Sequence, residues 1–174
     1  MSARASRADG GFSLSNSDVV PDRPGWVGRL VSDLSVNGTV AVGPKLLFED
    51  GSIQHAGLYF TRDADGLRYN RQYFKGLPRA DPPAGKAREV PAVTGACLHV
   101  DRAAFEAVGG LTEASIVGDC EDSELCLTLR ARGGRIRYEP AVEVRHFERR
   151  SIALSRSYRG TLASLLNRRL HAER

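Results

Sequence analysis

No apolar run in this 174-residue chain approaches the roughly 20 residues that a bilayer-spanning helix needs. The opening Met1-Ser2-Ala3-Arg4-Ala5-Ser6-Arg7 does not lead into the apolar core of a signal peptide. Cysteine is scarce: Cys97, Cys120 and Cys126 are the three, and no C-x-x-C pair occurs. That excludes a disulfide framework and points to reduced thiols in a cytoplasm-like compartment. No internal repeat is present. The chain is long enough for one core of ordinary size but short for two full domains. What is there is 41% apolar and 26% charged, the balance of a soluble globular protein rather than a disordered one. The net charge of +4 is uneven, because the segment from Arg145 to Arg174 holds eight arginines against two glutamates.

The stretch from Gly118 to Arg130 packs four acidic residues into six positions, then becomes an apolar-periodic run that ends at Gly133-Gly134. Read as a helix from about Glu121, it puts Asp122, Leu125, Cys126 and Leu129 on one stripe. Asp122 then stands at the N-terminal end of a buried face, where backbone N–H groups and the helix dipole favour the charged carboxylate. A carboxylate held ionised at the mouth of a core suits general-base work. The plainer alternative is an acidic first turn that only caps its helix.

Along the chain, residues 1–10 read as a frayed or disordered terminus. Gly11-Phe12-Ser13-Leu14-Ser15 is a strand that runs into Asn16-Ser17-Asp18. Two oxygen-bearing side chains in a turn can hold a hard cation such as Mg²⁺, or can bond only their own backbone as an Asx-turn. A helix follows Pro24, with Trp26, Val27, Leu30, Val31 and Leu34 on one face and Asn37-Gly38 at its end. Thr39–Gly43 and Pro44–Phe48 read as two strands, and Asp50-Gly51 as the turn of a hairpin whose second arm runs from Ile53 to Phe60. His55 on that arm reads as a satisfied structural histidine, and Asp63-Ala64-Asp65-Gly66 as a turn rather than a calcium loop. From about Arg68 to Arg88 regularity is lost, as in a lid, a binding segment or a disordered loop.

Glu89–Val100 has a buried-strand pattern interrupted by the small residues Thr94-Gly95-Ala96, which permit close approach of a ligand or another backbone. Asp101 caps a helix that Gly109-Gly110 ends. Arg135–Tyr138 is a strand, Pro140 a break, and Val142–His146 a second strand ending in a histidine of the kind that is usually structural. Tyr158, Leu162, Leu165, Leu166 and Leu170, flanked by arginines, form a basic amphipathic helix over 152–174. Such a helix packs on the domain or lies on an anionic membrane. Nucleic-acid binding is suggested only by this tail and the pI, and the tail carries no recognised motif, so no nucleic-acid partner is expected.

Set in order, these pieces resemble a known family. Leu14-Ser15-Asn16-Ser17-Asp18-Val19-Val20-Pro21, Pro24-Gly25-Trp26, Gly43-Pro44-Lys45-Leu46-Leu47, Gly51-Ser52-Ile53-Gln54-His55-Ala56-Gly57 and Val93-Thr94-Gly95-Ala96-Cys97 are similar to motifs of family 2 glycosyltransferases of the GT-A fold. So are Phe105–Gly110, Glu121–Leu127 and His146–Ser151. The resemblance runs from about residue 11 to 151 and includes the rhamnosyltransferase-like members that build cell-surface polysaccharides. It implies an α/β fold with a mixed sheet and an inverting, metal-dependent sugar transfer. The donor would be a nucleotide-diphospho-sugar and the acceptor a glycan or lipid-linked hydroxyl. The reduced cysteines and the basic C-terminal helix set the expected location as cytoplasmic, peripheral at the inner face of the membrane where that helix lies on it rather than on the domain.

The resemblance also implies roles. Asp18 takes the position of the last carboxylate of the Asp-x-Asp motif, which holds Mg²⁺ or Mn²⁺ on the diphosphate. Asn16 replaces the first acid and is a neutral donor with a lesser part. His146 matches a histidine that completes the metal site, Asp122 the catalytic base with Glu121 beside it, and Thr94-Gly95-Ala96 the segment that lines the donor sugar. In the family, βαβ units that bind the nucleotide precede the Asp-x-Asp motif. One such unit needs roughly 30 residues, and 15 residues precede Asn16 here. The expectation is therefore a partial GT-A fold, its acceptor-side half over 11–151, with the N-terminal nucleotide-binding half missing. Either the enzyme acts with that half supplied, or the chain is a truncated, non-catalytic remnant or interaction module.

Overall fold

A computed structural model describes residues 10–62, 64, 66, 68–112 and 120–147. The frayed terminus expected over most of 1–10, two aspartates of the 63–66 turn, the loop before Cys120 and the amphipathic helix of 152–174 lie outside the described residues.

Nine strands and three helices are described: β1 Gly11–Ser15, β2 Val19–Pro21, α1 Trp26–Leu34, β3 Thr39–Leu47, β4 Ile53–His55, β5 Leu58–Arg62, β6 Arg68–Gln72, β7 Arg88–Glu89, β8 Cys97–Asp101, α2 Arg102–Ala107, α3 Glu121–Ala131 and β9 Arg135–His146. The main sheet runs β1-β8-β3-β9-β2, with β4 also on β3 and β7 also on β9. The β3–β9 pair is parallel and the other pairs are antiparallel, so the sheet is mixed as expected.

Side chains that alternate along these strands feed two cores, one on each face. On one face α1 covers Val42, Leu46, Cys97, Val142 and Val144 with Leu30, Trp26 and Leu34. On the other, α2 and α3 cover Phe12, Ala41, Leu98, Val100, Ile136 and Tyr138 with Phe105, Leu125, Cys126 and Leu129. Leu30 and Ile136 are fully buried, and each such side chain contributes about 1.5–3 kcal/mol. Asp101 caps α2 as expected, accepting from the Ala104 N–H at 2.7 Å. Among the described residues no helix is long and apolar enough to cross a membrane.

Three expectations are corrected. Thr39–Leu47 is one strand where two were expected over Thr39–Phe48, and Arg135–His146 likewise runs through Pro140. Both prolines lack an N–H to give, and they meet at one irregularity: Pro44 pairs with Glu139, and the next pair is Lys45 with Glu143. A single bulge thus absorbs both missing donors, and Glu139 Oε1 accepts the Ala141 N–H at 2.8 Å. Second, the arm after Asp50-Gly51 splits. Gly57 adopts φ +97, after which β5 leaves the main sheet and pairs with β6. Third, the segment read as irregular from Arg68 onward contains β6, a 3-10 turn at Pro83–Gly85 and β7. The Arg88 guanidinium pins it, lying 5.1, 4.9 and 4.7 Å from the ring centres of Tyr73, Phe74 and Tyr138 and donating to Ala56 O at 2.6 Å.

Strand direction gathers one end of the sheet. The last residues of β1, β3 and β9 and the first residues of β2, β4 and β8 all lie there.

Candidate active site

That end of the sheet holds the residues singled out by sequence. β1 stops at Ser15 and the chain turns, with Asn16 N–H donating to Ala96 O at 3.0 Å and Val19 N–H to Asn16 O at 3.4 Å. Val19 then pairs with His146 at the end of β9, and the Phe147 N–H donates to Asp18 O at 3.1 Å. This main-chain frame brings three side chains together. His146 Nε2 lies 3.3 Å from Asn16 Nδ2 and 3.4 Å from Asp18 Oδ1. Asp18 and His146 are mostly buried, with 18% and 11% of their side-chain surface exposed.

Asn16-Ser17-Asp18 is therefore more than a local Asx-turn, because its side chains reach a histidine 130 residues away. His146 is fixed from behind, its Nδ1 2.9 Å from Gln54 Oε1. A carbonyl oxygen only accepts, so Nδ1 carries a proton, and in the neutral ring Nε2 then presents a lone pair, which the Asn16 Nδ2 at 3.3 Å meets as a donor.

Across the Thr94-Gly95-Ala96 segment stands α3. Cys120 stands just before it, with φ 75 and no side-chain cap hydrogen bond. Asp122 Oδ1 accepts the Ser123 N–H at 2.6 Å, doing the work of a cap, while Oδ2 accepts the Gly95 N–H at 2.8 Å. One carboxylate thus closes its own helix and reaches outward to the small-residue segment. Glu121 precedes it as the first residue of α3. Gly95 and Ala96 are buried and Thr94 is half-buried. Two hydrogen bonds through this segment, Asp122 to Gly95 and Ala96 to Asn16, link the helix start to the Asp18–His146 pair.

Sequence reasoning gave Gln54 and Gln72 no role. His55 is the satisfied histidine that was expected: it is 1% exposed, its Nδ1 bonds Gln72 Oε1, and its Nε2 accepts the Thr94 N–H at 3.4 Å. Burial holds its imidazole down at about 4, with the hydrogen bond to Gln72 pulling upward and the charges of Arg88 and Lys75 pushing further down. The available signal was a polar pair, Gln54-His55, in a strand whose other described neighbours are apolar and buried.

Asp18, His146 and Asn16 fit a divalent ion. The His146 Nε2 and the Asp18 Oδ1 face each other at 3.4 Å, and two such electron-rich atoms attract a proton or a cation between them. Their separation is close to the roughly 3 Å between neighbouring ligands of an octahedral Mg²⁺, whose ligand distance is about 2.1 Å. The Asn16 amide can turn its oxygen inward. Among the described residues no three His, Cys, Asp or Glu side chains converge, so such an ion would complete its shell with phosphate or water oxygens, as Mg²⁺ commonly does.

Comparison with known proteins gives the family. Residues 29–161 match the family model described as "Glycosyltransferase like family 2". The chain is 35% identical over 141 residues to the uncharacterized protein y4gI of Sinorhizobium fredii (strain NBRC 101917 / NGR234), covering 78% of this chain and 15% of that protein. It is also 35% identical over 127 residues to the O-antigen biosynthesis protein RfbC of Myxococcus xanthus, covering 70% of this chain and 10% of the relative. The chain thus spans a small part of the curated relatives it matches. Among solved structures it resembles GalNAc-T7, crystallised with UDP, GalNAc and Mn²⁺, at a TM-score of 0.58 and 16% identity over 81% of this chain and 28% of that one. That likeness is one of fold, and it agrees with part of a GT-A fold. On the family match, the chain belongs to the glycosyltransferase-like family 2.

Proposed function

We propose that this site transfers a sugar from a nucleotide-diphospho-sugar to an acceptor hydroxyl with inversion at the anomeric carbon, in the synthesis of a cell-surface polysaccharide or glycan. The observation that carries the reading is the placement of a helix-start carboxylate, Asp122, and a carboxylate–imidazole–amide cluster, Asp18, His146 and Asn16, on either side of one small-residue segment. Asp122 receives the acceptor's proton as the acceptor oxygen bonds to the anomeric carbon, and the bond from that carbon to the diphosphate breaks, its electron pair leaving with the diphosphate. The Gly95 N–H keeps the carboxylate turned toward the segment. Thr94, Gly95 and Ala96 carry little side chain and leave space for the donor sugar. Glu121 adds negative charge beside the base.

Asp18 and His146 would hold Mg²⁺ or Mn²⁺, with Asn16 as a neutral donor. When bound, the ion supplies positive charge against the negative charge that develops on the departing diphosphate. The Mn²⁺ and UDP in the GalNAc-T7 crystals and the O-antigen role in the name of the Myxococcus relative support the donor class and the product class. A cytoplasmic, membrane-peripheral setting, with a lipid-linked or glycan acceptor and contact through 152–174, belongs to the same proposal.

The test is a screen of nucleotide-diphospho-sugars for binding and transfer by the chain, with and without Mn²⁺ or Mg²⁺. Metal-dependent binding that is lost in Asp18→Ala is the expected result. Binding of every donor to the same extent without a divalent ion would overturn the reading.

A further inference from the structure

The site rests on two adjacent residues that none of the comparisons assigns. Gln54 and His55 are consecutive in β4, are 4% and 1% exposed, and point to opposite sides of their strand, as neighbours in a strand must. Gln54 Oε1 lies 2.9 Å from His146 Nδ1. His55 Nε2 accepts from the Thr94 N–H at 3.4 Å while its Nδ1 bonds Gln72 Oε1 of β6. One dipeptide therefore touches both halves of the site.

Each contact selects a tautomer. A neutral imidazole has one donor and one acceptor nitrogen. The Gln54 and Gln72 oxygens demand a proton on Nδ1 of His146 and of His55, and the Thr94 N–H demands a lone pair on Nε2 of His55. For His146 the consequence is a lone pair aimed at Asp18 and Asn16, the orientation in which imidazole binds a cation. For His55 the consequence is a Thr94 N–H that is occupied from behind. The next two residues are then left to meet Asp122 through the Gly95 N–H and Asn16 through the Ala96 carbonyl.

We propose that Gln54-His55 is the positioning element of the site, with Gln54 setting the His146 tautomer for cation binding and His55 holding the Thr94-Gly95-Ala96 segment in register with Asp122. The Gln54 half rests on the reading of Asp18 and His146 as cation ligands; the tautomers do not.

Two measurements on the full chain test it. Ring nitrogen and carbon NMR shifts report the histidine tautomer without any cation or activity. His55 and His146 should both be the Nδ1–H form, and an Nε2–H form for His146 in the wild type overturns the proposal. Mn²⁺ binding followed by electron paramagnetic resonance gives the second. Gln54→Leu, which keeps bulk and loses the acceptor, should return His146 to the Nε2–H form and weaken Mn²⁺ by about 10–100-fold, the usual effect of losing such a partner. Gln54→Glu, which keeps an acceptor, should restore both. Unchanged Mn²⁺ affinity in a folded Gln54→Leu overturns the positioning role and leaves the cation site standing. If the wild type has no Mn²⁺ affinity beside Nδ1–H tautomers, the cation reading and the Gln54 half fall together. The His55 half is then decided by whether His55→Phe shifts the Gly95 amide resonance while His55→Gln, which keeps an acceptor near the Nε2 position, does not.

Discussion

The backbone N–H of Gly95 donates to Asp122 Oδ2 at 2.8 Å while the neighbouring Ser123 N–H donates to Asp122 Oδ1 at 2.6 Å, so one carboxylate answers two donors from different parts of the chain. Asparagine in its place offers one acceptor oxygen and turns an NH₂ toward the other N–H. Asp122→Asn should therefore lower stability by about 1–3 kcal/mol, the cost of leaving a buried donor unmatched, as read by thermal unfolding. Sugar transfer should fall by about 10²–10⁴-fold, the range a general base contributes. An Asp122→Asn protein that transfers sugar at the wild-type rate has its base elsewhere.

Asp18 offers a separation of fold from function. Its main-chain oxygen receives the Phe147 N–H at 3.1 Å and its neighbour Val19 pairs with His146, so the backbone holds the turn without the carboxylate. Asp18→Asn should leave the melting temperature within a few degrees of wild type and weaken Mn²⁺ by more than the roughly 100-fold that a loss behind a ligand costs. Calorimetric titration reads this directly, and Mn²⁺ affinity equal to wild type would remove Asp18 from the cation site.

Asp122, Asp18, His146 and the 94–96 segment were singled out by their order along the chain and the family it resembles, and the helix start and strand ends that carry Asp122, Asp18 and His146 were read nearly correctly. The contacts among them were not, because Asn16–His146 and Gly95–Asp122 depend on which strands share an end of the sheet. Sequence reasoning broke β3 and β9 at Pro44 and Pro140, since it weighs each proline alone and cannot see that both fall on one bulge. It lost β6 because Arg68-Tyr69-Asn70-Arg71-Gln72 has no apolar alternation. That strand exists through its backbone pairing with β5 and the clamp of Arg88 on the following aromatics.

His55 should make the fold labile to acid. Its folded value of about 4 lies below the ordinary 6.5 because burial disfavours the charged ring. The unfolded chain then binds the proton more tightly between those values. The stability is present above about pH 6.5 and drains away as pH falls toward 4. A shift of this size corresponds to roughly 3 kcal/mol at 1.36 kcal/mol per unit. Denaturant titrations of wild type and His55→Gln at pH 7 and pH 4.5 should show the difference between them shrinking or reversing at the lower pH. A constant difference would mean that His55 does not resist protonation.

Asp33 should act with the opposite sign. On α1 it is 6% exposed and faces Glu139, with Arg137 Nε 3.5 Å from its Oδ1 and Arg29 Nη2 3.6 Å from Glu139. Burial first, then the hydrogen bond and charge of Glu139, raise it from 3.8 to about 6, while Arg137 and Arg29 pull downward. The native state therefore binds this proton more tightly. The group's contribution to stability is full below about pH 4 and is lost as pH rises through about 6. Asp33→Asn should gain on wild type across that window and keep the gain at pH 7–8. The His55 and Asp33 windows overlap with opposing slopes, so the two single variants resolve what a wild-type pH profile would blur.

Gly43 shows how closely the frame and the site are joined. It pairs with Tyr138 in the centre of the sheet, and a methyl group built on it would lie 2.6 Å from Val93 Cβ and 2.8 Å from Val93 Cγ1. No real pair of carbons sits that close, so β3 or Val93 must move, and β3 is held on both sides by β8 and β9. Val93 is the residue before Thr94, and its carbonyl accepts from Cys126 Sγ on α3 at 3.7 Å. Gly43→Ala should thus cost about 1–3 kcal/mol, as overpacking of a core does, and should also shift the Gly95 amide resonance. Val93→Ala makes room for the new methyl. The double variant should be more stable than the sum of the two single losses by at least about 1 kcal/mol, the coupling expected of residues in contact. If the two losses simply add, the Val93 side chain is not what the absence of a side chain at Gly43 accommodates, and the close approach that brings the 94–96 segment onto the sheet has another cause.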